Sequence, residues 1–303
     1  MLNLDSVSTF IAIAATGSFT DAARQLALSR SVVSERLQEL ERSLGTKLVQ
    51  RTTRRVSLTS DGAAFYERAK RIVREAELAA AELADRRGKV AGSLRISAPV
   101  GFGYLHLGAA LFGFVARYPG IDLALDLEDR FVDLFDEGYD AVVRHGPIQA
   151  RRVIVKLLAI STRLLVASPG YLKRWGQPTS LEDLREHRGI LYSYRGAADW
   201  RFRIGRRFTA VQPQTALRLN NGLLMRDAAV RGIGIALLPT FFLEAPLRER
   251  TLKVIDLGAQ AEGAALYIGY PDHLRGSAKI RALTTWLQGA FGDPPHWERS
   301  RSR

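Results

Sequence analysis

The sequence predicts an α/β protein with a small all-helical module in front of it. Three observations predict this. Two short helix patterns separated by a tight break fall within the first 45 residues. A run without Gly or Pro, 63–87, has the length of one long helix. From Ser93 onward strand and helix patterns alternate, and βαβ alternation implies largely parallel sheets covered by helices.

Residues 3–15 place Leu4, Val7, Phe10, Ile11 and Ala14 on one helix face. Gly17 ends that helix. Ser18 is a good N-cap for the next, which turns Ala22, Ala23 and Leu26 inward. Leu28-Ser29 breaks the pattern, and Ser29 caps a third helix whose buried stripe is Val33, Leu37 and Leu40. Gly45 closes it as a C-terminal glycine does. Two short helices joined by a tight turn form a helix-turn-helix, whose second helix enters the major groove of DNA. The face opposite the stripe carries Arg30, Ser31, Ser34, Glu35 and Gln38. Hydroxyl, amide and guanidinium groups suit base edges and phosphates, so these residues, with Gln25 and Arg36, are candidate DNA contacts. Between Lys47 and Thr59 two short β-prone runs flank a basic turn, which reads as a two-stranded wing. Arg51, Thr53, Arg54 and Arg55 sit at its tip without a nearby acid, which suits phosphate or minor-groove contact.

Thr59 to Gly62 caps a helix expected to run to about Arg87. Tyr66, Ala69, Val73, Ala76, Ala80 and Leu83 follow a heptad seam along it. A helix lying on its own domain gives the same pattern, but the small residues favour pairing with a second helix. Gly88 to Gly92 reads as a hinge. The expected organisation is therefore 1–59 winged helix-turn-helix, 60–89 linker and dimerisation helix, and 90–303 a second, α/β domain.

In that domain Leu94–Ser97 is a strand, and Pro99-Val100-Gly101 opens a helix to Tyr118. Ile121–Leu127 alternates as a strand, a short acidic helix follows, and Ala141–Arg144 is the next strand. Thr162–Ala167 begins a second unit, with helices near 169–175 and 180–186 and strands within 189–219. A helix from Gly222 to Arg231, a strand over Leu266–Tyr270 and a helix over 277–290 complete it. The basic tail Pro294–Arg303 is expected to be disordered.

The net charge of +13 suggests an anionic partner. Its placement weakens that argument, because residues 1–90 carry net +4 and residues 91–303 net +9. With no cysteine, disulfides, thiol catalysis and thiolate metal sites are excluded. His106, His145, His187, His273 and His296 show no metal-ligand spacing. Gly232-Ile233-Gly234 lacks the third glycine of a dinucleotide loop and follows a helix, so it reads as a turn. No enzyme activity, metal or cofactor is expected. Nor is a membrane span, which takes roughly 20 apolar residues, or a signal peptide; the expected location is the cytoplasm.

In its order of motifs the chain resembles the LysR-type transcriptional regulators over essentially its whole length. The carrying residues are Phe10, Gly17-Ser18-Phe19 with Ala22-Ala23, Leu28-Ser29 with Ser31, Val33 and Ser34, then Leu40-Glu41, Leu44-Gly45, Leu48, Arg51, Leu58-Thr59 and Gly62. Weaker marks follow at Asp140, Arg144-His145-Gly146, Ala167-Ser168-Pro169, Tyr171-Leu172, Trp200, Phe202 and Gly232 to Pro239. The resemblance implies a two-lobed effector domain of the periplasmic-binding-protein type, with lobe I about 92–161 and 268–293 and lobe II about 162–267. It implies a small molecule between the lobes, dimers often arranged as tetramers, double-stranded promoter DNA as partner and contact with RNA polymerase. Candidate effector contacts are Ser97, Pro99, Val100, Gly101 and Phe102, where backbone N–H groups at a helix start suit an anion, with Arg144, His145, Tyr194, Arg195, Trp200, Arg201, Asn220 and Asn221. An anionic effector follows from that set. Val100, Gly101 and Phe102 stand where many relatives carry a polar side chain, which leaves backbone donors there.

Overall fold

The structure is a computed structural model that describes residues 2–51, 56–85, 89–148, 151–194 and 199–299. It divides into two units, Met1–Arg87 with Phe135–Gly138, and Gly88–Leu134 with Tyr139–Arg303.

The first unit holds α1 (Leu4–Thr16), α2 (Phe19–Gln25), α3 (Arg30–Leu44), β1 (Val49–Arg51), β2 (Val56–Leu58) and α4 (Ser60–Asp85). The expected caps are in place: Ser18 Oγ accepts from Asp21 N at 3.2 Å and Ser29 Oγ from Val32 N at 3.3 Å. Gly17 and Gly45 end their helices in the left-handed conformation. Val7, Phe10, Ile13, Ala22, Val33, Leu37 and Leu40 form a common buried core. β1 and β2 pair antiparallel, from Val49 with Leu58 to Arg51 with Val56.

Two side chains fix the wing to the helices. The buried Glu41 carboxylate accepts from Leu48 N at 2.9 Å and Val49 N at 3.2 Å, and pairs with Lys47 at 2.6 Å. Thr59 Oγ1 donates to Lys47 O at 2.7 Å and accepts from Gly62 N at 2.9 Å. A β-carbon on Gly62 would lie 1.9 Å from the Leu48 carbonyl oxygen, so only glycine fits that approach. On α4 the structure corrects the expected seam. Tyr66, Ala69 and Val73 pack into this unit's own core, and Phe10 meets Phe65 at 5.7 Å and Tyr66 edge-on at 6.3 Å. That half of the seam is used internally, because the helix start is tied to the wing and laid along α1.

The second unit contains two five-stranded sheets. One is ordered β4 (Ile121–Leu127), β3 (Gly92–Ala98), β5 (Ala141–His145), β15 (Ala264–Pro271), β6 (Val153–Ser161). The other is ordered β11 (Gln214–Leu219), β8 (Arg188–Tyr192), β12 (Ile235–Pro239), β7 (Arg163–Ala167), β13 (Lys253–Val254). Each is mixed where largely parallel sheets were expected: β15 runs antiparallel to β5 and β6, and β7 antiparallel to β12. A three-stranded ribbon of β9 (Arg201–Ile204), β10 (Arg207–Ala210) and β14 (Gln260–Ala261) joins the second sheet's lobe.

The helices are α5 (Val100–Phe102), continued through a π turn at Gly103–Leu107 into α6 (Gly108–Arg117), then α7 (Pro169–Trp175), α8 (Gly222–Val230), α9 (Glu244–Arg248), α10 (Ala278–Phe291) and α11 (His296–Arg299). By length and composition Val100–Arg117, with mean hydropathy 1.3, is apolar enough to cross a membrane. The sequence reading found no such run. In the fold Phe102, Leu107, Leu111 and Phe114 are buried in this unit.

Four further expectations are corrected. Residues 128–140 form turns, with no acidic helix, and 180–186 keeps only one 3₁₀ turn at Asp183–Arg185. The chain passes from the first sheet to the second through Thr162 alone, and returns through Glu262-Gly263 into β15, which starts at Ala264 and not near 268. Within the basic tail expected to be disordered, His296–Arg299 forms α11 with Trp297 buried, and residues 300–303 lie outside the described residues.

Candidate DNA-reading face and effector cleft

On α3 the exposed face is Arg30, Ser31, Glu35 and Gln38, with Ser34 half-buried between them. The spacing of Ser31, Ser34, Glu35 and Gln38 is one helical stripe. Opposite it Val33, Leu37, Leu40 and Glu41 hold the helix on the core. Ser31 Oγ lies 2.8 Å from Ser29 Oγ, the cap of the same helix. Gln25 is exposed at the end of α2. Arg36 departs from the expected set: it is tied to Asp5 at 3.1 Å and turns toward α1. Arg51 has its backbone in β1, while Thr53, Arg54 and Arg55 lie outside the described residues.

The second unit has a cleft of about 870 Å³ between its lobes. Its walls are mainly apolar, including Phe131, Ile148, Met225, Leu237, Phe241 and Phe242. Pro99, Arg144, His145, Tyr194 and Arg201, all expected from sequence, line it. The Arg144 guanidinium donates to Val143 O at 2.8 Å, Ser97 Oγ at 2.8 Å and Arg130 O at 3.3 Å. Among the described residues no carboxylate forms an ion pair with it. Burial holds its pKa below the usual arginine value, opposed by the charges of Glu128 and Asp129 and by Tyr139 and Tyr192. His145 stands edge-on to Phe241 at 5.4 Å. Arg201 pairs with Glu262 at 3.0 Å where the chain recrosses between lobes.

The expected anion site at the helix start is corrected. Asp129 Oδ1 accepts from Val100 N at 3.1 Å, and its Oδ2 accepts from Asn221 Nδ2 at 2.9 Å. An internal carboxylate thus occupies the Val100 N–H, one of the donors an effector was expected to use, and it joins lobe I to the N-cap of α8 in lobe II. Asn221 Oδ1 also accepts from Leu223 N and Leu224 N. Gly101 is covered by the Phe242 ring, which also covers Gly222. Ser97 is buried and reaches the cleft only through Arg144. Phe102 is fully buried, 5.2 Å from Phe241 and 5.4 Å from Phe291. Trp200 lies in the lobe II core with Phe202 and Ile235. Asn220 is exposed and outside the cleft lining, and Arg195 lies outside the described residues.

Sequence reasoning missed Asp129, Phe241, Phe242 and Glu262. The adjacent aromatics Phe241-Phe242, directly after Leu238-Pro239 and a strand, were the available signal; Asp129 and Glu262 had none. Among the described residues no group of three or more His, Asp or Glu is placed to hold a metal ion.

A capped helix-turn-helix with a wing, joined in one chain to a two-lobed domain with a cleft, defines a ligand-responsive DNA-binding regulator. Residues 4–63 match the bacterial regulatory helix-turn-helix protein, lysR family, and residues 87–292 match the LysR substrate binding domain. The chain belongs to the LysR-type transcriptional regulators. It is 33% identical over 295 residues to the uncharacterized HTH-type transcriptional regulator YhjC of Escherichia coli, covering 96% of this chain and 98% of that one. It is 31% identical to the HTH-type transcriptional regulator PtxR of Pseudomonas aeruginosa, covering 97% and 95%. The structure of CrgA, a LysR-type regulator from Neisseria meningitidis, superposes with a TM-score of 0.60 at 25% identity, over 96% of this chain and all of that one. The chain is a transcriptional regulator of this family, with a helix-turn-helix DNA-binding domain and a substrate-binding effector domain.

Proposed function

We propose that this regulator responds to a small anion with an apolar body, held in the cleft by Arg144. One observation carries the reading: the half-buried Arg144 guanidinium faces the cleft, and among the described residues no carboxylate is in ion-pair contact with it, Glu128 and Asp129 acting on it from farther away. Removing a cation from water is costly unless a counter-charge meets it. Arg144 uses three of its five N–H donors on Val143, Ser97 and Arg130, and a carboxylate or phosphate takes the rest. The apolar walls then enclose the ligand's body.

The working form is a cytoplasmic dimer or tetramer whose paired α3 faces and wings read a dyad-symmetric promoter site. Ser31, Ser34, Glu35 and Gln38 meet base edges, while Gln25, Arg30 and the wing arginines meet phosphates. Effector binding changes the fit to DNA, and by linkage DNA changes effector affinity by the same factor. RNA polymerase is the downstream partner.

Thermal unfolding against matched carboxylates and their neutral amides tests the effector reading. A carboxylate at 100 times its Kd adds about 2.7 kcal/mol of stability, and Arg144→Met removes that gain without changing DNA affinity in the absence of ligand. Amides that stabilise as well as the acids refute the anionic reading.

A further inference from the structure

We infer that Trp297 and Glu298 on α11 are positioning residues that pin the hinge between the two lobes and so set the width of the effector cleft. Thr162 is the single residue linking β6 in one lobe to β7 in the other. Glu298 Oε1 accepts from Thr162 N at 2.7 Å, and its carboxylate accepts from Thr162 Oγ1 at 3.0 and 3.2 Å. The same Oε1 accepts from Thr240 Oγ1 at 2.6 Å. Thr240 follows β12 in lobe II, and its N–H donates to Thr162 O at 2.9 Å. One carboxylate therefore holds the crossing residue and the turn beside it. Hinge closure works by changing φ and ψ at a few such residues, so a clamp on Thr162 acts directly on lobe motion.

Trp297 reinforces the clamp from the next position. Its Nε1 donates to Ile160 O at 3.0 Å in β6. Its ring packs on Phe102 at 5.7 Å and Phe291 at 5.5 Å in lobe I, and on Phe241 at 6.4 Å in lobe II. Phe241 and its neighbour Phe242 line the cleft. The contact thus runs from α11 to the cleft wall in one aromatic step. The inference is independent of the charge of the effector, since none of these contacts involves Arg144.

The absence of cysteine in the chain makes a direct test available. Cysteines replacing the exposed Ala116 on α6 and Lys173 on α7 carry spin labels, one per lobe. The labelled full-length protein is diluted in excess unlabelled protein, so that only distances within one chain are read by pulsed electron spin resonance. The unaltered hinge gives one narrow distance distribution. Glu298→Ala gives a widened or two-peaked distribution, and Glu298→Gln, which keeps an acceptor for Thr162 and Thr240, restores much of the narrow one. Trp297→Phe stays near the narrow form and Trp297→Ala does not. A merely structural role moves the melting temperature and leaves the distances alone. Superposable distributions for folded Glu298→Ala and the parent overturn the inference, whatever happens to Trp297→Ala.

Discussion

Asp199 and Arg163 are both almost fully buried. Asp199 Oδ1 accepts from Arg163 at 2.5 Å, its Oδ2 accepts from Tyr192 N at 3.0 Å, and its carbonyl accepts from Arg163 Nη1 at 2.7 Å. Removing one partner of such a pair leaves an uncompensated charge, so Asp199→Ala costs about 3–5 kcal/mol in urea unfolding. Adding Arg163→Met to that variant recovers most of the loss. A single variant no weaker than a surface substitution shows that the pair contributes nothing. Glu41 follows the same logic, because Glu41→Ala strips the acceptor from Leu48 N and Val49 N at the wing's root. Sequence reading carried Trp200 among the candidate effector contacts. Trp200 and Phe202 are two residues apart, the period of a strand face, and both point into the lobe core. The local sequence allows Trp200 either place, and the packed lobe decides for the core.

At the scale of elements the wing is held by backbone fit. Gly62→Ala places its methyl against the Leu48 carbonyl, and overpacking of this kind costs about 1–3 kcal/mol. DNA affinity falls with it although no DNA-facing residue has changed; gel shift and denaturation on the same variant check both. On α11 and its surroundings a pH effect follows from His106. Burial lowers its pKa below 6.5, with His296 adding to the shift and Phe241 O and Glu244 opposing it. The unfolded chain therefore takes up a proton more readily than the folded one. Stability from this site is complete above about pH 6.5 and is lost as pH falls through the depressed folded value. His106→Gln flattens the fall in melting temperature over that window, and an unchanged slope counts against the assignment. Most helices and strands were legible from periodicity and caps. β6 was not, and neither was α11, because four residues carry no period to read.

For the whole molecule the sum of charge and site predicts salt-sensitive binding. The logarithm of DNA affinity falls with the logarithm of salt at about −0.9 per phosphate neutralised. Arg30→Ala lessens that slope by about one contact's worth and weakens all DNA sequences alike, whereas Gln38→Ala relaxes preference at one base pair and leaves the slope. Titrations at two salt concentrations on operator and random DNA separate the two. The two-lobed plan came from resemblance, since alternation of strands and helices does not say which strands share a sheet. The cleft's cation, Arg144, was legible as a charge at a strand end. That the Val100 N–H at the helix start is taken by Asp129 was not, because the two meet only after 29 residues of chain have folded back.

Phe242 fills the place where a β-carbon at Gly101 or at Gly222 would stand, 2.4 Å away in both cases. Three positions on separate elements thus compete for one volume. A side chain at 101 or 222 is rejected while the ring remains, and a small residue at 242 alone leaves a void. Descent from this sequence to one with a polar group at 101 has a preferred order, with the aromatic shrinking first and the glycine growing second. The reverse order passes through a clash. An altered ligand preference in this lineage is therefore a matter of historical sequence, and directed evolution of the cleft starts at 242.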